Sequence, residues 1–220
     1  MANSITKTVQ NLINNDPALQ DALQRNYANY SAVARLLKPS VERILDKSVN
    51  FESLITSVKR AEVDYPPLRG RIKKIVAGSV INLRTSVTKI SLKKTKRTLE
   101  AVRKVLSKWP QDFLQVLEGT SAITLIFNQK IFSRMRGMLN DEDVLDVKRN
   151  LAEIIINSPR GIIDTPSCVL AFYSPVSMRR VNIEETMSCF TDTIIVLSIE
   201  DVGRAFIALT DLIAQARSGE

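Results

Sequence analysis

The stretch from Thr165 to Ile213 constrains the fold more tightly than any other part of the chain. An apolar helical run (Val169, Leu170, Phe172, Tyr173, Val176) leads to Val181-Asn182-Ile183. A polar alternating segment follows from Glu184 to Phe190, then a turn at Thr191-Asp192 and a fully apolar strand, Ile194 to Leu197. Asp201 then opens an amphipathic helix whose stripe is Val202, Ala205, Phe206, Leu209, Leu212 and Ile213. With a strand over Leu151 to Ile156 just before it, the order is β-α-β-β-α, most of a split β-α-β unit of the ferredoxin-like kind. Pro175 removes a backbone donor inside the first helix and is expected to kink or shorten it.

An earlier stretch repeats this order. Val80 to Leu92 alternates and suits one long or two short strands. Lys93 to Arg97 opens a helix over Thr98 to Trp109, striped by Leu99, Val102, Val105, Leu106 and Trp109. Strands over Phe113 to Gly119 and Ile123 to Phe127, and a helix over Ile131 to Leu139, complete the unit. Thr120 to Ile126 lies 71 residues before Thr191 to Leu197, so element order and hydropathy recur at a fixed offset.

Residues 4–65 read as helices alone. Ser4, Asp16 (before Pro17), Ser31 and Asn50 are N-cap candidates, and Pro39 marks a bend or a new helix start. The last helix, Phe51 to Val63, turns Leu54, Ile55, Val58 and Ala61 inward. Glu52, Ser53, Thr56, Ser57, Lys59 and Arg60 point outward. Short helices with tight turns before a polar, basic outer face suggest a helix-turn-helix, though any small helical bundle shows the same caps. Asp64-Tyr65-Pro66-Pro67 is the clearest boundary, and Leu68 to Ala77 reads as a basic helix stopped by Gly78. The expected domains are 1–66, helical; 67–148, a basic linker helix with a first, diverged unit; and 149–220, a second unit.

Charge is uneven along the chain. Residues 1–110 carry 21 basic and eight acidic side chains, and residues 111–220 carry ten and 15. Between Asp64 and Glu100 there is no acid. An anionic partner is therefore expected for the first half. Ser53, Thr56, Ser57, Lys59, Arg60, Arg69 and Arg71 are the candidate contacts to double-stranded DNA, supplying hydroxyl and cationic donors for phosphate and base edges. The chain has no histidine, which excludes histidine triads and histidine-based acid–base chemistry. Its two cysteines, Cys168 and Cys189, form no Cys-x-x-Cys pair, and no phosphate-cradling glycine loop is present. No metal or cofactor is expected, and no catalytic residues are assigned. No apolar run has the length of a membrane span, and residues 1–20 lack the basic-then-apolar layout of a signal peptide, so a cytoplasmic location is expected.

The C-terminal stretch resembles an ACT domain, the small regulatory module that binds amino acids and similar metabolites. The residues that carry the resemblance are Thr165-Pro166, Val181 to Glu185, and Ser188 to Leu197. It departs from the common pattern at Ser167, where many ACT domains have glycine after the proline. The whole layout resembles an archaeal-type group with a helix-turn-helix-like segment followed by ACT-like units, making the chain α+β. The resemblance implies a ligand at the loop Asn157 to Thr165, with Arg160, Gly161, Asp164, Thr165, Ser167 and Asn182 as candidate ligand-binding residues. Arg160 suits a carboxylate, Asp164 an α-amino group, and the helix start after Pro166 presents backbone donors. The expectation is a dimeric, amino-acid-responsive DNA-binding regulator. The alternative is a regulatory or protein-interaction subunit that binds no DNA.

Overall fold

The computed structural model describes residues 4–62, 69–108 and 113–218. The chain divides into two units, Met1–Pro67 and Leu68–Glu220.

The first unit holds helices α1 (Ile5–Asn14), α2 (Pro17–Gln24), α3 (Tyr30–Leu45) and α4 (Phe51–Lys59). Their starts follow from side-chain caps. Ser4 accepts from the Lys7 N–H, Asp16 from Ala18 and Leu19, Asn29 from Ser31 and Ala32, and Asn50 from Ser53. Each supplies an acceptor to backbone donors that the helix cannot satisfy. The core gathers Val9, Ile13, Val33, Ala34, Val41, Leu54 and Val58.

Three sequence expectations change here. Helix α3 is capped by Asn29 rather than Ser31. It also continues through Pro39 with no new helix start, the missing donor being tolerated at an exposed position. Helix α4 ends at Lys59 rather than Val63, with Arg60 at its C-cap.

The second unit opens with α5 (Arg69–Ala77) and continues β1 (Val80–Lys93), α6 (Lys96–Lys108), β2 (Leu114–Glu118), β3 (Ala122–Asn128), α7 (Phe132–Arg136), β4 (Val144–Asn157), α8 (Cys168–Met178), β5 (Glu185–Cys189), β6 (Asp192–Ser198) and α9 (Val202–Ser218). All six strands form one antiparallel sheet in the order β2-β3-β1-β4-β6-β5. Pro175 neither ends nor shortens α8, which continues to Met178.

Strands β1 and β4 are each 14 residues long and serve two half-sheets. Val87 to Lys93 of β1 pairs with β3, while Val80 to Arg84 pairs only with the end of β4. Leu151 to Asn157 of β4 pairs in turn with β6. The first half-sheet is thus β2, β3, the end of β1 and the start of β4. The second is the start of β1, the end of β4, β6 and β5. The boundary expected at 148/149 falls inside β4, and the second half-sheet takes its fourth strand from Val80 to Arg84. Both long strands shift register at equivalent places: Ser86 and Asn150, 64 positions apart, have φ of 57° and 56°.

Helices cover one face of the sheet. Helices α5, α8 and α9 pack through Ile75, Phe172, Val176, Ala205 and Leu209 on Ile154, Ile156, Ile195 and Leu197. Helices α6 and α7 pack through Val102, Val105 and Met135 on Ile90, Leu92, Leu125 and Phe127.

The other face closes on itself. Gln115 of β2 lies 2.8 Å from Glu153 of β4, although β3 and β1 intervene. Lys89 of β1 donates to the Glu184 carbonyl, beside β5, at 2.8 Å, although β4 and β6 intervene. In a flat sheet strands three places apart stand roughly 14 Å from each other. The two half-sheets therefore fold toward one another around Val87, Ile126, Leu151, Ile194 and Val196.

Candidate functional site

The loop between β4 and α8 is built from both ends. At the end of β4, Asn157 donates to Asp192 at 2.6 Å and accepts from Asn82 at 2.6 Å, and the Ser158 N–H donates to the Thr191 carbonyl. A single 3-10 turn, Arg160–Ile162, then buries Ile162 as an anchor. Helix α5 presses on this loop. A side chain at Gly78 would place its Cβ 2.7 Å from Pro159 Cγ, and Ile75 lies against Gly161. Ser79, fully buried, shares a hydrogen bond with Ser158 at 3.0 Å.

Arg160, Gly161, Asp164 and Ser167 are exposed around this turn. Thr165 is buried, and its hydroxyl donates to the Gly161 carbonyl at 2.7 Å instead of capping the helix. Ser167 stands at the N-cap of α8 with φ of 63° and makes no capping bond, so no side chain occupies the helix start. Its left-handed backbone is the conformation that glycine adopts without strain. Cys168 follows, buried in the core beneath α8, and desolvation pushes its thiol pKa up.

Asn182 is not part of this cluster. It follows the far end of α8, an 11-residue helix roughly 16 Å long, and donates to Glu184 at 3.1 Å. There it borders a set of ionic groups within the folded sheet. Glu184 accepts from Lys148 at 2.6 Å, and Lys89 lies 3.8 Å from Glu185. The Lys148 hydrogen bond holds the Glu184 carboxyl below the usual glutamate range, and the same contact raises Lys148.

Across the pseudo-twofold relation between the long strands, Glu153 occupies the place of Lys89 and Arg84 that of Lys148. Glu153 is fully buried, ion-paired with Arg84 and hydrogen-bonded by Gln115, and the Arg84 guanidinium lies 3.8 Å from the Phe113 ring centroid. These four charged residues escaped the sequence reading. The available signal was a lone acid inside the apolar run Leu151 to Ile156.

Among the candidate DNA contacts, Ser53, Thr56, Lys59 and Arg60 are exposed at α4. Ser57 is not outward: at 6% exposure it donates to the Ser53 carbonyl and meets Thr6 at 3.3 Å, because its position faces α1. Arg71 is exposed on α5, in the second unit, and the Arg69 side chain lies outside the described residues. Basic charge concentrates in that second unit. Residues 4–62 carry eight basic and six acidic side chains, whereas residues 69–108 carry 13 basic ones against Glu100 alone. Among the described residues no helix is long and apolar enough to cross a membrane, and no group of three metal-ligating side chains comes together.

No family model matches the chain, and no curated protein matches it in sequence. Solved structures do match in fold. The regulatory subunit of aspartate kinase from Thermus thermophilus superposes with a TM-score of 0.52 at 13% identity, over 60% of this chain and 97% of that one. The corresponding subunit from Thermus flavus gives 0.52 at 12% identity, over 60% and 95%. The chain spans 34% of the length of aspartate kinase from Clostridium acetobutylicum, with 18% identity and a TM-score of 0.49. The likeness to the two Thermus subunits is one of fold: the chain carries an ACT-type, ferredoxin-like arrangement.

Proposed function

We propose that this chain is a ligand-responsive regulatory protein and not a catalyst, and that its ACT-type half-sheets sense an amino acid or related metabolite. The observation that carries the reading is the sharing of β1 and β4 by both half-sheets. A displacement at one ligand loop then moves strands that belong to both halves, the coupling that an allosteric switch needs. The β4–α8 loop is the proposed entry point. Its helix start carries no side-chain cap, and Arg160 and Asp164 flank it with charges suited to a carboxylate and an ammonium group. The test is a thermal-shift screen of the free amino acids against the full chain. A ligand at a hundredfold its Kd adds about 2.7 kcal/mol, a shift of several degrees. Loss of that shift in Arg160→Ala supports the loop; no shift with any amino acid sinks the sensing reading.

A narrower reading makes the output DNA binding, with dimers matching two half-sites in a cytoplasmic regulator. The exposed Ser53, Thr56, Lys59 and Arg60 favour it, while the near-balanced charge of residues 4–62 supports the alternative, a regulatory subunit that binds no DNA. Titration on duplex DNA at two salt concentrations separates them. Binding that weakens steeply with salt and is reduced in a Lys59→Ala/Arg60→Ala double variant supports the DNA reading. No binding at low salt leaves the subunit reading, and light scattering then measures whether the chain is the homodimer both readings expect.

A further inference from the structure

The two half-sheets differ in their second covering helix. In the second half, α9 is 17 residues long and packs along α8 over the sheet. In the first half, its counterpart α7 is five residues long. A cavity of about 230 Å³ lies beneath α6, lined on its other side by Met138, Leu139, Asn140 and Asp143. That volume suits a small metabolite and lies below the range of drug-sized ligands.

The lining has a definite chemistry. Helix α6 presents Arg97, Glu100, Ala101 and Lys104, one stripe at helical spacing. Leu92 and Met138 supply an apolar floor. Arg97 is already committed: its Nε donates to the buried Asp143 at 2.7 Å, and its Nη2 approaches Glu142 at 3.5 Å. Arg97 and Asp143 thus neutralise each other in the lining. Glu100 and Lys104 remain, one helical turn apart, with no ion pair to each other or to any other described residue within 4.0 Å. One acid and one base over an apolar floor match a molecule that carries both charges on an apolar body.

We propose that the cavity between α6 and residues 137–143 binds a small zwitterion with an apolar side chain, the chemistry of an apolar L-α-amino acid, with its carboxylate on Lys104 and its ammonium on Glu100. The proposal rests on the sensing reading for its consequence, but it places a ligand in the first half-sheet, away from the β4–α8 loop. The position also suits signalling: Leu92 lies on β1 and Asp143 immediately precedes β4, the two shared strands.

The experiment is calorimetric titration of the full chain with L-leucine and L-methionine, beside isoamylamine and isocaproate, which keep the apolar body but lack one charge. The amino acids bind, and each single-charge analogue binds about tenfold more weakly or worse. Glu100→Gln and Lys104→Gln each weaken binding about tenfold. Ala101→Leu, which fills the cavity, abolishes it, and Arg160→Ala leaves it unchanged. Circular dichroism and melting temperature confirm that each variant is folded. Binding that survives Ala101→Leu overturns the proposal. Binding lost in Arg160→Ala but kept in the α6 variants also overturns it, and leaves the sensing reading standing at the β4–α8 loop. Failure of both probes, while another amino acid binds in an Arg160-dependent way, overturns this proposal alone; failure of every amino acid overturns both.

Discussion

Replacing Arg84 with methionine tests whether the two half-sheets close on each other. Glu153 is fully buried, and its charge partner is Arg84, whose own side chain is 38% exposed. Removing one member of a buried pair typically costs about 3–5 kcal/mol, because the remaining charge stays desolvated. Water reaches Arg84, and Gln115 still donates to Glu153 at 2.8 Å, so the lower end applies. The expected loss is about 3 kcal/mol, a fall in Tm of roughly 6–12 °C for a unit of this size. The double variant Arg84→Met/Glu153→Leu removes the stranded charge and returns to within about 1 kcal/mol of the parent. Urea unfolding of the two singles and the double, read as a double-mutant cycle, gives both quantities. A cost for Arg84→Met below about 0.5 kcal/mol would mean that Glu153 is solvated. The sheet would then be open and the folded-over arrangement wrong.

Four further outcomes are expected. Asn50→Ala removes the acceptor for the Ser53 N–H at the start of α4 and lowers the stability of the helical unit by about 1 kcal/mol in urea unfolding. Ser167→Gly relieves a left-handed serine and raises the melting temperature, by the equivalent of about 0.5–1 kcal/mol, and an unchanged or lower value would show that the strain does not exceed the entropy that glycine adds to the unfolded chain. Gly78→Ala drives a Cβ to 2.7 Å from Pro159 Cγ and lowers the melting temperature, since Pro159 is ring-locked and cannot swing aside. The fourth concerns pH. Lys148 depresses the folded-state pKa of Glu184, so its contribution is present above the unfolded glutamate value of about 4.3 and is lost as pH falls through the folded value. Melting curves from roughly pH 7 to pH 3 should therefore decline more steeply for the parent than for Glu184→Gln, and parallel curves would remove that contribution.

Local signals and distant pairings separate cleanly in this chain. The caps at Ser4, Asp16 and Asn50 were legible because a cap is settled by a side chain and backbone N–H groups two or three residues away. The apolar run Ile194 to Leu197 was legible as a strand for a similar reason: it is buried on both faces. Pro39 and Pro175 do not end their helices, because a proline inside a helix costs one hydrogen bond that packing elsewhere in the helix can offset, and packing is not written locally. The double use of β1 and β4 was hidden by the same limit. Their alternation breaks at Ser86 and Asn150, left-handed residues that are not glycine, and a lone serine or asparagine between strand residues is too weak a signal to place the break.

The candidate site divides along this line as well. The residues from Arg160 to Ser167 lie on one short loop, so sequence proximity alone gathers them; Asn182 was placed with them by resemblance, and the length of α8 carries it away. Lys89 and Glu153 look in sequence like the solvent-facing residues of half-exposed strands. Their burial follows from a sheet that folds over, which depends on residues in β2 and beside β5 that no local pattern connects to them. The cavity under α6 belongs to the same category. It lies where α7 runs for five residues and α9 for 17, a difference that the expected helices over Ile131 to Leu139 and from Asp201 to Ile213 understated. A repeat whose halves were equal would bury α6 as completely as α8, and Glu100 and Lys104 would then have no opening between them.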